Sequence, residues 1–325
     1  MKKGIFARCL LGIFLSVLIV VPMGGIAEAA FPEKTIEVIV GWGAGGGSDL
    51  FTRTIAEEAK KILKANIVVI NMPGASSAEA TNFLMRQPAD GYTLLAVTSD
   101  VLMNPYLGRT SYNYDSFTPI LRAHVDTGML HTSENSQFKT WENVVEYAKT
   151  NPGKLTIGVT GSASSDEIAT SIVLNSAGIK ATMVPFEGSG EMHAALLGGH
   201  LDLMYDEPAP VMSLVEAKKI RPLIVMSESR LKPFPNVPTV KEFGYEMPLA
   251  MWRGIVAKKG TPPEIIAVLE DAFHKAAMSA PYKAFEEDRL LNLRAGYLNS
   301  KDFSDQMKVE AEMYKKVMKE LGYSK

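Results

Sequence analysis

Two short apolar runs in this chain each end in a loop of glycine or hydroxyl residues that opens directly into a helical pattern. The first run is Ile36 to Val40. Its loop, Gly41-Trp42-Gly43-Ala44-Gly45-Gly46-Gly47-Ser48-Asp49, holds five glycines in seven residues, and apolar positions Leu50, Ile55, Ala59 and Ile62 then recur at helical spacing. The second run is Leu155 to Val159, followed by Thr160-Gly161-Ser162-Ala163-Ser164-Ser165-Asp166 and a helix from Glu167 to Ala177. Strand, loop and helix in that order make a βα unit of a parallel sheet. A glycine loop brings backbone close to a ligand because no Cβ intervenes. The first amides of the helix then present free N–H groups, and the dipole favours an anion. Ser48 or Asp49 is the expected N-cap of the first helix.

Strands and helices alternate through most of the chain. Ile67 to Ile70 is a strand, Pro73-Gly74-Ala75-Ser76-Ser77 a small-residue loop and Ala78 to Arg86 a helix. Tyr92 to Val97 is a strand ending in Thr98-Ser99-Asp100, and Trp141 to Lys149 is a helix stopped by Asn151-Pro152-Gly153. Strand 181–184, the loop Pro185-Phe186-Glu187-Gly188-Ser189-Gly190, a helix from Glu191 and strand 202–206 complete a second series. The pattern predicts an α/β protein of two similar domains, with Pro119 to Leu130 as the strand leaving the first and Arg221 to Met226 as the strand crossing back. Ligands of such sheets bind at the carboxyl ends of the strands. Two lobes facing each other across a cleft would trap a small ligand by hinge closure, with hinges near 118–131 and 221–229.

The N-terminus constrains where the chain works. Lys2, Lys3 and Arg8 precede an apolar run from Leu10 to Val21, and Ala27-Glu28-Ala29 is an A-x-A cleavage site. This reads as a secretory signal peptide, residues 1–29, too short to span a membrane. Cys9, the one cysteine, lies inside it, so the mature chain has no disulfide, thiol nucleophile or zinc–thiolate site. Cleavage removes three basic residues and one acidic residue, and the net charge moves from −2 to −4. That balance argues against nucleic acid as a partner. Roughly 295 mature residues suit two domains: residues 30–124 plus 228–325, and residues 125–227.

Two enzyme classes find only part of their signatures in these residues. Gly41, Gly43 and Gly46 satisfy G-x-G-x-x-G, but the dinucleotide fingerprint needs a carboxylate at the end of the next strand, and Asn71-Met72-Pro73-Gly74 stands there. An exported hydrolase acting on a small carboxylate ester has serines, histidines and aspartates to draw on, but no G-x-S-x-G elbow follows a strand.

The ordered set of motifs resembles the receptors of tripartite tricarboxylate transporters, the Bug or TctC-like extracytoplasmic solute-binding proteins. It comprises Phe31-Pro32-Glu33-Lys34, Gly45 to Asp49, Pro73-Gly74-Ala75, Asp90-Gly91-Tyr92-Thr93, Asn151-Pro152-Gly153-Lys154, Phe186 to Glu191, Leu196-Leu197-Gly198-Gly199-His200, Val237-Pro238-Thr239, Trp252-Arg253-Gly254 and Gly260-Thr261-Pro262. The resemblance covers the mature chain. It implies a two-lobed type II periplasmic binding protein, its two α/β domains joined by a two-strand hinge with the ligand cleft between them. It also implies a small organic carboxylate ligand (a dicarboxylate, tricarboxylate or related aromatic acid), membrane permease subunits as partners, a periplasmic monomer, and no cofactor, metal or catalysis. The ligand-holding amides would be those of Gly45 to Asp49 and Gly161 to Ser165. Many members carry proline at Ala44, two glycines at Ser76 and Ser77, and lysine at Glu187. Glu187 would oppose a second ligand carboxylate or pair with a ligand hydroxyl or amine.

The candidate ligand-binding residues are therefore Trp42, Ala44, Gly45, Gly46, Gly47, Ser48, Asp49, Ser76, Thr98, Ser99, Gly161, Ser162, Ala163, Ser164, Ser165, Phe186, Glu187, Asp206 and Arg253. Trp42 and Trp252 either wall the ligand or pack an interface. Arg253, charged within an apolar run, needs a partner, either a ligand carboxylate or a structural aspartate. Asp206 either meets the ligand or caps a loop. Met307, Met313 and Met318 are expected in the core.

Overall fold

The parallel strands of this chain are apolar on nearly every residue because helices cover both faces of their sheets. In strand β1 (Ile36–Val40), Ile36, Val38 and Val40 face one hydrophobic cluster and Ile39 faces the other, and all four are fully buried. The computed structural model describes residues 31–246 and 250–323; the expected signal peptide and Cys9 lie outside the described residues. After β1 come α1 (Gly47–Leu63), β2 (Ile67–Asn71), α2 (Ala78–Arg86), β3 (Thr93–Thr98), the short α3 (Asp100–Met103) and β4 (Phe117–Val125). The chain continues through β5 (Met129–Ser133), α4 (Trp141–Thr150), β6 (Leu155–Thr160), α5 (Ser165–Ala177), β7 (Ala181–Phe186), α6 (Ser189–Leu197), β8 (Leu203–Asp206), α7 (Pro208–Glu216) and β9 (Ile220–Val225). It ends with β10 (Trp252–Lys258), α8 (Pro263–Ala277), α9 (Ala280–Asp288), β11 (Leu298–Asn299) and α10 (Ser300–Glu320).

Two sheets result, one per lobe. The six-stranded sheet runs β11-β4-β10-β3-β1-β2 and the five-stranded sheet β7-β6-β8-β5-β9. In each, three parallel strands come from βα units: β1 lies between β2 and β3, and β6 between β7 and β8. Each then takes antiparallel strands, β10 between β3 and β4 with β11 at the edge in the first, and β5 between β8 and β9 in the second. The two-lobed α/β architecture read from the sequence is the one observed.

The crossings differ in detail from the expected strands. The predicted strand from Pro119 to Leu130 is two strands in two sheets, β4 and β5, interrupted at Asp126-Thr127-Gly128. Asp126 turns its carboxylate to Arg253 there, and a Cβ at Gly128 would lie 2.4 Å from the Tyr205 ring. The strand at Arg221 to Met226 is β9, which stays in the second sheet, and β10 is the strand that returns. Of the three methionines, Met307 and Met318 are buried on α10, but Met313 is 46 % exposed, because the buried face runs through Phe303, Met307, Ala311, Tyr314 and Met318.

Helix α1 shows how packing fixes the site. Phe51, Ile55 and Ala59 recur every fourth residue and bury against Ile36, Val38 and Val40. A fully buried side chain of the phenylalanine or isoleucine class contributes about 1.5–3 kcal/mol. The far end of the helix is thereby clamped to the sheet, and its N-terminus is held at the carboxyl end of β1.

Candidate functional site

The N-terminus of α1 differs from the expected capping in a way that matters for ligands. Its N-cap is Gly46, at φ −75° and ψ 170°, with no side chain capping the helix. Asp49 instead turns its carboxylate back onto the loop: Oδ2 accepts from the Gly45 amide at 2.8 Å, Oδ1 accepts from Asn71 at 2.9 Å, and Oδ1 pairs with Arg53 at 2.9 Å. Burial alone would raise the Asp49 pKa; the bonds from Arg53, Gly45 and Asn71 outweigh it and lower the value. Gly45 sits at φ 80°, which glycine adopts freely. The amides of Gly47, Ser48 and Asp49 have no acceptor among the described residues. The loop is thus braced from behind by a carboxylate and leaves its helix donors unpaired.

The second expected cradle is differently used. At the start of α5 the Ser165 amide and hydroxyl both donate to Asp100, at 3.1 and 3.3 Å. The Ala163 amide donates to Glu167 at 2.6 Å, and Ser164 Oγ accepts from the Glu167 amide. Arg109 donates to the carbonyls of Ser162 and Ala163 at 2.7 and 3.4 Å. Asp100 and Arg109 belong to the first lobe, so this loop's polar groups are spent partly on capping its own helix and partly on contacts between lobes. The neighbouring helix α6 is open instead. Its N-cap is Gly188, no side chain caps it, and the amides of Ser189, Gly190 and Glu191 have no acceptor among the described residues.

These two open helix starts border one cleft. A cavity of about 340 Å³ is lined by Trp42 and Gly43 to Ser48 from the first lobe and by Thr160, Ser164 to Asp166, Glu187 to Gly190, Glu207 and Pro210 from the second, with Asp100, Met251 and Arg253. A second cavity of about 240 Å³ shares Gly45, Gly46, Gly47, Ser189, Glu207, Pro210 and Arg253 with it and continues toward Phe285 and Leu290. That is room for a small organic molecule.

Arg253, 7 % exposed, is the cation lining the larger cavity among the described residues; Arg289 lines the second, which Arg253 shares. Arg253 pairs with Asp126, donates from Nε to Ser48 Oγ at 3.2 Å, and places Nη2 3.9 Å from Glu207. Its partner is thus a structural aspartate, with the guanidinium still on the cavity wall. Burial works against its charge, but Asp126, Glu207 and Asp166 outweigh this and raise its pKa. The carboxylates around it are crowded. Burial, then the charge of Asp100, pushes Asp166 up to about 8, and burial with Asp126 raises Glu207 well above the usual carboxylate range.

Of the sequence candidates, Trp42, Ala44, Gly45, Gly46, Gly47, Ser48, Ser164, Ser165, Glu187 and Arg253 line the larger cavity. Asp49 lies behind the loop. Gly161, Ser162, Ala163 and Phe186 do not line it; Phe186 accepts the Gly161 amide at 2.9 Å. Ser76 gives its carbonyl to Asn104, Thr98 donates to Asp100 at 2.8 Å, and Ser99 is buried with an unpartnered hydroxyl. Asp206 is engaged within the second lobe, by His193 at 2.6 Å and the Glu207 amide at 2.9 Å. Ser76 and Ser77 have φ of 50° and 70°, so they occupy the left-handed region that suits glycine. The lining residues missing from the sequence reading are Gly43, Asp100, Thr160, Asp166, Gly188, Ser189, Gly190, Glu207, Pro210 and Met251. Pro208 at the first position of α7 was the available signal for Glu207, which becomes that helix's N-cap.

Comparison with known proteins gives a consistent result. Residues 51–323 match the family model of the tripartite tricarboxylate transporter family receptor. The UPF0065 protein in the gbd 5′ region of Cupriavidus necator is 33% identical over 299 residues, covering 91% of this chain and 90% of that protein. A TctC solute binding protein from Polaromonas, solved without ligand, is 30% identical with a TM-score of 0.71, covering 89% of this chain and 99% of that one. R. palustris Rpa4515 with adipate is 26% identical with a TM-score of 0.81, covering 90% and 98%. Over most of its length, then, this chain belongs to the tripartite tricarboxylate transporter family of receptors.

Proposed function

We propose that this receptor captures a small organic carboxylate in the periplasm, as a monomer, and delivers it to the permease subunits of a tripartite tricarboxylate-type transporter. The observation that carries the reading is the pair of uncapped helix N-termini, α1 from one lobe and α6 from the other, on the wall of one cavity. Main-chain amides at a helix start suit a carboxylate at either end of a short ligand. The similar R. palustris protein was solved with adipate, a molecule of that kind. The ligand site would comprise Trp42, Gly45 to Ser48, Ser189, Gly190 and Arg253, and the lobes would close about the segments joining β4 to β5 and β9 to β10. The hydrolase reading draws less support. Ser48 Oγ is bonded to Arg253 and Ser165 Oγ to Asp100, and neither contact is the serine–histidine pair that ester hydrolysis needs.

A thermal-shift screen over organic acids, followed by calorimetric titration, tests the proposal. A true ligand at a hundred times its Kd stabilises the protein by about 2.7 kcal/mol. If no acid shifts the melting temperature while an ester is turned over, the receptor reading is wrong.

A further inference from the structure

We infer that the carboxylate taken by this receptor also carries a protonated nitrogen, held by Asp166 and Glu207 of the second lobe, so that the ligand is an amino-acid-like zwitterion. This rests on the carboxylate-receptor reading and narrows it. Four acidic side chains, Asp100, Asp166, Glu187 and Glu207, line the larger cavity, against one basic side chain, Arg253. Arg253 is already committed to Asp126. Asp100 is satisfied by Ser165 and Thr98. Asp166 is only partly satisfied: it is 6 % exposed and accepts from the Thr160 side chain, but its Oδ1 has no hydrogen-bond donor among the described residues. A buried carboxylate oxygen without a donor is a costly arrangement that a ligand can relieve. An ammonium brings three donors and the missing positive charge. A plain dianion or trianion would fit only while Asp166 and Glu207 keep their protons, because it sets like charge against either carboxylate once ionised. Burial first, and then the neighbouring carboxylates, push both groups up, so without a ligand cation each favours holding a proton.

Calorimetric titration at pH 7 with matched pairs tests this: glutamate against glutarate, aspartate against succinate, 4-aminobutyrate against butyrate. The nitrogen-bearing member of at least one pair should bind at least tenfold more tightly than its partner. Its binding should release protons, read from the difference in enthalpy between two buffers. Asp166→Asn should reduce that preference at least tenfold, and Glu207→Gln serves where Asp166→Asn does not fold. Equal or tighter binding of the nitrogen-free acids, or a preference untouched by both variants, would overturn the zwitterion while leaving the carboxylate receptor standing. In that outcome a protonated Asp166 donates to a plain acid. If none of these acids binds, with or without nitrogen, the carboxylate reading falls and the zwitterion with it.

Discussion

Replacing Gly46 with valine separates ligand binding from folding at the loop that opens α1. At φ −75° and ψ 170° the backbone of Gly46 is in extended space that valine favours, so no strain follows from the dihedrals. A Cβ built there meets only the Gly43 carbonyl, at 3.4 Å. Folding stability should therefore change by less than about 1 kcal/mol, the range of surface substitutions away from special features. Gly46 lines both cavities beside the unpaired Gly47 and Ser48 amides, so the valine side chain should take up ligand space there. Loss of one hydrogen bond to a charged group costs about 1.5–3 kcal/mol, and every 1.4 kcal/mol is about a factor of ten in Kd. Calorimetry with the tightest acid from the screen should show Kd raised at least tenfold. Gly45→Ala differs in its effect on stability. Its Cβ meets nothing within 4 Å, but its φ of 80° requires glycine, so it should lower stability by about 1 kcal/mol. If Gly46→Val binds with unchanged affinity, the amides of α1 do not hold the ligand, and the cradle is wrong.

Four further outcomes follow from particular residues. Ser77→Gly should stabilise the protein by about 1 kcal/mol in urea denaturation, since it relieves a φ of 70° and deletes a buried hydroxyl that has no partner among the described residues; a loss of stability would show that the Ser77 side chain is needed. For Asp166 the folded pKa, about 8, lies above the unfolded value. The folded state therefore holds the extra proton between about pH 4 and 8, and the stability linked to Asp166 is present at low pH and lost as pH rises through that window. Asp166→Asn should accordingly gain on the wild type in melting temperature between pH 5 and pH 8, whereas parallel curves would refute the shift. Asp100→Ala removes the acceptor for the Ser165 amide and hydroxyl, and small-angle scattering without ligand should show a larger radius of gyration; an unchanged radius would mean that other contacts hold the lobes. Arg253→Ala leaves Asp126 buried without its cation and should cost about 3–5 kcal/mol of stability. The conservative Arg253→Lys should weaken a diacid by about 1–3 kcal/mol more than a monoacid, and equal losses would assign Arg253 to Asp126 alone.

How far the sequence could be read depends on whether a feature is local. The βα units were legible because Ile36 to Val40 and Leu155 to Val159 are apolar runs with helical periodicity beyond them, and strands form at both, the second one residue longer, to Thr160. The N-cap was misplaced because capping rules favour Ser48 or Asp49, whereas Asp49 has a stronger use bracing Gly45 and Asn71. The break between β4 and β5 was invisible because its cause, Arg253, lies more than a hundred residues away. The acidic wall escaped for the same reason. Asp100, Asp126, Asp166 and Glu207 are scattered in sequence, and only the topology gathers them.

Helix α5 shows why a donor-rich loop need not be a ligand loop. Ile168, Ala169, Ile172 and Val173 occupy neighbouring faces, and ten of its thirteen residues are buried. A helix with apolar residues on neighbouring faces is packed on more than one side. Here Ile168 and Ile172 join the first lobe's cluster with Leu102 and Tyr314, while Ala169 and Val173 join the second lobe's. Tyr323 adds a bond to Glu167 at 2.6 Å. With its sides gripped by both lobes, α5 takes its anion from the protein, and Asp100 plays at its N-terminus the part a ligand carboxylate would play at α1 or α6. The division of labour has a physical consequence. Because Asp100 satisfies α5 in the absence of any ligand, part of the contact between lobes costs the ligand nothing, and binding needs to supply only what α1, α6 and the acidic wall still lack.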